Sequence, residues 1–341
     1  MSAHIVRVDS LEYLVVDDVT TAYQALITAA AIDEVTGEPL HAIFSITTDR
    51  PDMDARPVSD GVFVVSGYPE RIFLPVTVNI TIAAPGYRSV SFPVAIAPGS
   101  LPVNAASVVL RPFPVRVQGR VTRNNADRTP IAGATIASAT PGALALRTPV
   151  HFDHAAGVVV RERALPAAGA PLSLSEPAAG QSRSILLNST AGLGPGSVLR
   201  LGEDIDAEYA VVSALGPDAG EVQLTSPLRR SFDLLAAVQP VSPGATGAST
   251  TITRPADSGD GLLLLGASLA PGSYEIADGA ATEYADANAL TDAAGFFRLD
   301  GIVALRILDL RASAAGFIDL TVPVSLDFAE PVTVASFRLS T

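Results

Sequence analysis

The 341-residue chain contains no cysteine, which excludes disulfides, a thiol nucleophile and a thiolate metal site. It contains no lysine either: all 22 basic residues are arginine. That removes the phosphate-loop lysine, Schiff-base chemistry, a Ser–Lys dyad and Lys–Asn isopeptide cross-links. Tryptophan is absent and aromatics make up 6% of the chain, which counts against a carbohydrate platform built on exposed rings. Charged residues are scarce at 17%, and their balance is acidic, with a formal net charge of −13. A polyanion is repelled by such a chain, so nucleic acid is not an expected partner. The start, MSAHIVRVDSLEYLVVDD, has no cationic stretch followed by an apolar run, so it does not read as a secretion signal. The longest apolar runs, such as GLLLLGASLA at 261–270, fall far short of a membrane span. The expectation is a soluble protein with no membrane insertion.

What is present is apolar and turn-rich. Hydrophobic residues make up 48% of the chain, with 27 Gly and 26 Pro, which describes a packed protein punctuated by turns. The dominant period is two. In VTVNITIAA, Val76, Val78, Ile80 and Ile82 share one face and Thr77, Asn79 and Thr81 the other. In SVSFPVAI and IDLTVPVSL the same alternation sets Val90, Phe92, Val94 and Ile96, and Ile318, Leu320, Val322, Val324 and Leu326, on one face. Strict alternation in short segments marks half-buried antiparallel strands of a sandwich or barrel. The best helical candidate lies near 20–31, and Thr20, Thr21, Ile27 and Thr28 weaken it. The chain is read as all-β. Pro93 and Pro323 lack the N–H a ladder needs, and belong on edge strands or bulges.

Several phrases recur in order. DEVTGEPLHAIFSI (33–46) matches RNNADRTPIAGATI (123–136), and DGVFVVSG (60–67) matches AGFFRLDG (294–301). NITIAAPGYRSVSFPVAI (79–96) matches DLRASAAGFIDLTVPVSL (309–326), and ASVVL (106–110) matches ASFRL (335–339). The chain therefore reads as two copies of one Ig-like β-sandwich module. About a dozen residues, 48–59, join the second strand to DGVFVV in the first copy; in the second, the join runs from about 140 to 293. The expected organisation is an N-terminal arm (1–24), a first module (25–111), a second module in two pieces (112–141 and 288–341), and an inserted β-domain (142–287). The insert carries its own echo: LLNSTAGLGPGSVLRLG (186–202) resembles LLLGASLAPGSYEIAD (263–278), followed by Glu208-Tyr209 and Glu283-Tyr284.

The order of a Pro-bearing turn, a strand, Asp-x-Gly-x-Phe and a Gly-aromatic pair resembles the carboxypeptidase regulatory-like family. VQGRVTRNNADRTPIAGATI, TDAAGFFRLDGI and LRASAAGF carry the resemblance best. It covers about 25–111, and 115–140 with 288–341, and leaves out the insert. The first copy departs from the pattern by lacking the Gly before its first strand. The resemblance implies a transthyretin-like sandwich acting as a binding, spacing or assembly unit, with no catalytic residues to carry over. The insert, with GSVLRLG, AEYAVV and GEVQLTSPL, looks like small β-units of phage tail and contractile injection proteins.

Three segments carry chemistry worth weighing. HFDH (151–154) would place His151 and Asp153 on one strand face and His154 on the other, a donor set suited to Zn²⁺. An exposed linker at the start of the insert is the plainer account. GEDIDAEY packs Glu203, Asp204, Asp206 and Glu208 into six residues. It could bind Ca²⁺, but lacks the spaced Gly of an EF-hand and reads more simply as an acidic hairpin resisting edge pairing. ADSGDG (256–261) is a weaker case of the same kind, and Asp17-Asp18 is explained by solvent. There is no G-x-S-x-G, and the four histidines, His4, His41, His151 and His154, supply no nucleophile–base spacing. No catalytic, cofactor-binding or metal residue is therefore nominated, and no cofactor. The expected function is non-enzymatic: a structural component of a phage-like tail or contractile injection particle, assembled in the cytoplasm through protein partners, as a homo-oligomer. The alternatives are an adhesive or ligand-binding module at the extracellular surface, or an accessory module of an enzyme complex.

Overall fold

A computed structural model describes residues 2–8, 11–17 and 23–341 apart from 70, 71, 73 and 280; for 2–17 it defines the backbone course alone. The chain is all-β, with no α-helix among the described residues. It divides into two compact units, Met1–Pro112 and Phe113–Thr341. Each is described by itself.

The first unit opens with an antiparallel hairpin, Ser2–Val8 against Leu11–Asp17. One sheet of the sandwich that follows runs in the order Val108–Leu110, Gln24–Asp33, Val62–Gly67, Met53–Ser59. The other runs Ser45–Thr48, Val76–Ala83, Val90–Ile96. The weak helical segment near 20–31 is thus a strand from Gln24 onward; Thr20 and Thr21 lie outside the described residues. Tertiary pairing decides this. Ile27, Ala29 and Ala31 face inward at a period of two, and β-branched side chains fit the pleat better than a helix. One apolar core joins the two sheets, with Leu26, Ile27, Phe63 and Val65 meeting Val78, Ile80, Ile82 and Ile96.

In the second unit Val115–Arg123 is the centre of a sheet, with Phe296–Ile302 antiparallel on one side and Val332–Leu339 parallel on the other. A second sheet runs Ala289–Leu290, Thr135–Ser138, Ile307–Ser313, Leu320–Ser325. Phe297 and Phe337, on the two strands flanking Val115–Arg123, meet in the core with ring centroids 5.7 Å apart. Local geometry matches the first unit in detail. Val108–Leu110 also runs parallel to its central strand. Pro93 pairs with Asn79 and Pro323 with Asp309, each on the outermost strand of its sheet, where a missing N–H costs no ladder bond.

The recurring DGVFVV and AGFFRL phrases have a common cause. Gly61 and Gly295 both adopt left-handed backbone, at φ +66° and +70°. A Cβ on Gly61 would lie 2.6 Å from the Ala31 carbonyl oxygen; on Gly295 it would lie 2.5 Å from that of Val121. Each glycine carbonyl accepts from the strand opposite, Gly61 O from Ala31 N at 2.7 Å and Gly295 O from Val121 N at 2.8 Å. The turn presses backbone onto backbone, and only glycine fits there.

Between Ser138 and Ala289 the chain builds different sheets. Six strands, Leu172–Ser173, Ser184–Leu186, Val198–Leu201, Glu208–Leu215, Glu221–Leu224 and Ala237–Val241, form one continuous sheet. Around them the chain repeats the strand pairing, divided into a four-stranded and a two-stranded sheet, with Thr246–Thr251, Leu262–Leu264, Ser273–Asp278 and Ala281–Asp286, completed by Ala143–Ala145 and Val159–Arg163 from upstream. The correspondence extends to single bonds. Leu224 N donates to Arg183 O as Leu146 N does to Gly261 O, each at 2.8 Å. The bridges Ala178–Phe232 and Leu174–Leu187 reappear as His154–Ala256 and Ile252–Leu265. The two apolar cores match member by member, with Ile185, Leu201, Val222 and Leu228 standing where Leu263, Ile276, Leu144 and Val150 stand. The inner copy is contiguous; the outer one is the same unit circularly permuted, with the inner copy threaded between its second and third strands.

Substituting Ala at Gly133, which is left-handed at φ +66° but open, costs about 1–2 kcal/mol for the backbone conformation alone. Gly295→Ala adds a carbonyl clash and is expected to cost at least twice as much in equilibrium denaturation. Equal costs would show that the turn can open.

Candidate functional site

The three chemistry-bearing segments of the sequence converge on one place, where the inner and outer copies meet. HFDH does not run as a strand. It bends after Pro149, and of its four residues only His154 joins a bridge, to Ala256. His154 is 1% exposed, with Nε2 2.5 Å from Glu283 Oε1 and Nδ1 3.8 Å from Asp278 Oδ2. His151 N donates to Glu283 Oε2 at 2.7 Å, and its Nε2 lies 3.4 Å from Glu208 Oε1. Asp153 goes elsewhere, accepting from Ser258 N at 2.7 Å. The exposed-linker reading is therefore corrected: both histidines reach inward, because the bend breaks the alternation that would have separated them.

GEDIDAEY likewise splits. Glu203 and Asp204 are exposed, Asp204–Asp206 forms a 3-10 turn, and Glu208 opens a strand with no exposed surface. Glu208 Oε1 accepts from Arg229 N at 2.7 Å and Oε2 from Arg230 N at 3.0 Å. An acidic edge hairpin describes the first residues of the run but not Glu208. In ADSGDG, Asp257 N donates to Asp260 Oδ2 at 2.9 Å, and Ser258 Oγ donates to His151 O, also at 2.9 Å. The remaining residues lie apart: His41 sits near Asp60 on the surface of the first unit, His4 and Asp17 are in the N-terminal hairpin, and Asp18 is outside the described residues. Among the described residues no three His, Asp or Glu side chains converge as a metal set.

The nested copies explain the arrangement. Pro149-Val150-His151 stands where Pro227-Leu228-Arg229 stands, so the backbone N–H of His151 meets Glu283 as that of Arg229 meets Glu208. Each copy thus closes one loop on one buried glutamate. His154 takes the place of Phe232, one turn position buried in both copies. The signal was present in the sequence: LTSPL at 224–228 repeats LRTPV at 146–150, and SEPAAG at 175–180 repeats TRPADS at 253–258. The second pair precedes the echo at 186–202 and 263–278 in both copies, but the first follows it in one copy and precedes it in the other, so the repeat runs in a rotated order.

A second tier of bonds ties the copies together. Arg147 pairs with Asp286 at 3.0 Å and donates to Asp204 O at 3.1 Å; Thr148 Oγ1 donates to Ala207 O at 3.1 Å; Arg230 Nη2 donates to Arg147 O at 2.9 Å. Tyr209 donates to Asp286 at 3.2 Å, and burial beside that carboxylate pushes its pKa up to about 12. Burial lifts Glu208 to about 7, against the opposing pull of the Arg229 and Arg230 N–H groups. Burial pushes His151 down, opposed by the charge of Glu283. A carboxyl whose pKa is raised on folding stabilises the fold fully below its unfolded pKa, and that contribution is lost as pH rises through the folded value. The window for Glu208 therefore runs from about 4.5 to about 7. A depressed histidine acts in the opposite direction, losing stability as pH falls. The arrangement is a polar cross-brace whose acids and bases pair with one another and with backbone, leaving His151 Nδ1, His154 Nδ1 and Arg229 Nε buried without a hydrogen-bond partner.

Between pH 5 and 8 the unfolding free energy of Glu208→Gln is expected to shift in the variant's favour relative to the parent. The shift should be on the order of 3 kcal/mol, whatever the variant's baseline loss. Parallel pH profiles for the two proteins would show that Glu208 does not titrate in that window.

No protein-family model matches the chain, and no curated protein matches it. Among solved structures, the chain is similar to the major pilin subunit of Bacillus cereus, at 8% identity and a TM-score of 0.21, over 92% of this chain and 99% of that one. It is also similar to the TIE protein of Bacillus anthracis, at 9% identity and a TM-score of 0.24, over 92% of this chain and 50% of that one. At these scores neither likeness carries an argument about fold or function.

Proposed function

We propose that this chain is a non-enzymatic structural component of a phage-like tail or contractile injection particle, joined to protein neighbours and to further copies of itself through its β-sandwiches. The observation that carries the reading is the state of the sandwich edges. Val108–Leu110 and Val332–Leu339 each end a sheet, and each leaves apolar side chains outside: Val109 is 52% exposed and Val334 71% exposed. Ile307 and Ile318 add to the exposed apolar surface of the second unit. Edge strands with uncovered apolar groups are surfaces to which another chain adds. The titratable groups between the nested copies are engaged in bracing, which fits a load-carrying role better than turnover. Among the described residues no helix is long and apolar enough to cross a membrane.

The organisation belongs to the same reading: a hairpin arm, a first sandwich similar to carboxypeptidase regulatory-like modules, and a second sandwich of the same kind into which the nested pair is inserted. If so, removing residues 142–287 and bridging the gap with a short turn leaves a folded two-sandwich protein. Its circular dichroism should remain β-type and its sandwich amides protected from exchange. A chain unfolded by both measures would overturn the insertion reading.

The particle assignment is tested by tagging the protein, pelleting large assemblies from a gentle lysate and labelling the tag with gold in negative stain. Gold on tubes, sheaths or baseplates is the expected result. A tag confined to the unpelleted fraction, or to cell envelopes, would sink it and favour a surface or accessory module.

A further inference from the structure

A cleft of about 630 Å³ opens in the second unit beside the polar cross-brace, and its lining is basic in an acidic protein. Arg116 and Arg298 come from the sandwich; Arg229 and Arg230 come from the inner copy; Asp206 and Asp300 are the carboxylates among them. Four guanidinium groups against two carboxylates leave an excess of two positive charges. The acids are shared thinly. Asp300 reaches Arg116 Nε at 2.6 Å, Arg298 Nε at 2.9 Å and Arg230 Nη2 at 3.8 Å. Asp206 Oδ1 reaches Arg230 Nη1 at 2.9 Å and Arg298 Nη2 at 3.3 Å. No arginine here owns a carboxylate outright.

The guanidinium groups are also held in place without a ligand. Arg230 donates to the carbonyls of Ile205 and Arg147, and Arg229 Nη2 donates to Val150 O and Ser258 Oγ. Arg229 Nε is buried with no hydrogen-bond partner. Burial, and after it the neighbouring charge of Arg298, press the pKa of Arg230 downward, opposed by Asp206, Asp300 and Glu208.

The folds themselves do not require this charge. At the positions of Arg229 and Arg230 the outer copy carries His151 and Phe152, with the same loop and the same capped glutamate. At the positions of Arg298 and Asp300 the first sandwich carries Val64 and Ser66, on the same strand after the same glycine. At the positions of Arg229, Arg230 and Arg298 the related folds carry no arginine, and the charge appears where the sandwich and the inner copy share a cleft. Planar, pre-positioned guanidinium forks are suited to oxyanions.

We propose that this cleft binds the phosphate or sulfate group of a small molecule, held between Arg229 and Arg230 on one side and Arg116 and Arg298 on the other. The volume leaves room for a polar body beyond the anion, against Gln181 and Ser231.

The test uses the full chain, titrated with sodium phosphate and with sodium sulfate against sodium chloride at matched ionic strength, and read by isothermal titration and thermal unfolding. Saturable binding with a rise in Tm absent from the chloride arm is expected, and the tighter of the two anions names the source. Arg229→Gln with Arg298→Gln should weaken binding by about tenfold or more, the equivalent of one lost charge-assisted hydrogen bond. Asp300→Asn removes a competing carboxylate and should tighten binding, which keeps the test decisive if the arginine variant fails to fold. Chloride-like behaviour of both anions, or no tightening in Asp300→Asn, overturns the proposal.

Discussion

A carboxylate taken out of water must be given hydrogen bonds or a proton, and the second unit is organised around two glutamates in that position. Glu208 opens the strand Glu208–Leu215 and Glu283 lies in Ala281–Asp286, and each is met by the backbone of a Pro-bearing loop from elsewhere in the chain. Because the donors are main-chain N–H groups, the loop must hold its course for the acid to be tolerated, and the acid must be present for the loop's N–H groups to be satisfied. Neither the strand nor the loop is independent of the other. The histidines, Arg147, Asp286 and Tyr209 extend this mutual dependence from each copy to the contact between copies.

The nested copies have diverged where the constraint is weakest. Apolar core positions interchange Ile, Leu and Val with little change of volume, which packed cores accept. His154 in place of Phe232 is a larger step, since a ring nitrogen then needs a partner, and Glu283 supplies it. Arg229 and Arg230 in place of His151 and Phe152 lie at the outer end of the same loop. There the chain can change charge without disturbing the bonds beneath, because those bonds use backbone.

The sandwiches were largely legible in the sequence, for a local reason. Their strands alternate strictly, as in Val78, Ile80 and Ile82, and their tight turns admit one residue type, as at Gly61 and Gly295, so both leave marks that survive divergence. Pro93 and Pro323 named their own edges. The site was poorly legible. HFDH and GEDIDAEY look like surface polar runs because their burial depends on partners from elsewhere in the chain, Glu283 for the histidines and the Arg229 and Arg230 N–H groups for Glu208. The permutation hid most of the internal repeat: its segments recur, but in a rotated order. The bends after Pro149 and before Glu208 have no periodicity to read.

Threading has a consequence for the order in which the molecule can be completed. The inner copy is finished once residue 241 has been made, whereas the outer copy lacks a strand until 286. The second sandwich cannot close until 332–339 arrives beside 115–123, which has by then waited for more than two hundred residues. During synthesis from the N-terminus the layers therefore close from the inside outward, and the central strand of the outermost layer is the longest without its partner. The small, early-closing copies at the centre shorten the effective span by bringing Arg147 and Asp286 together, so that the sandwich closes around a folded body instead of a loose chain.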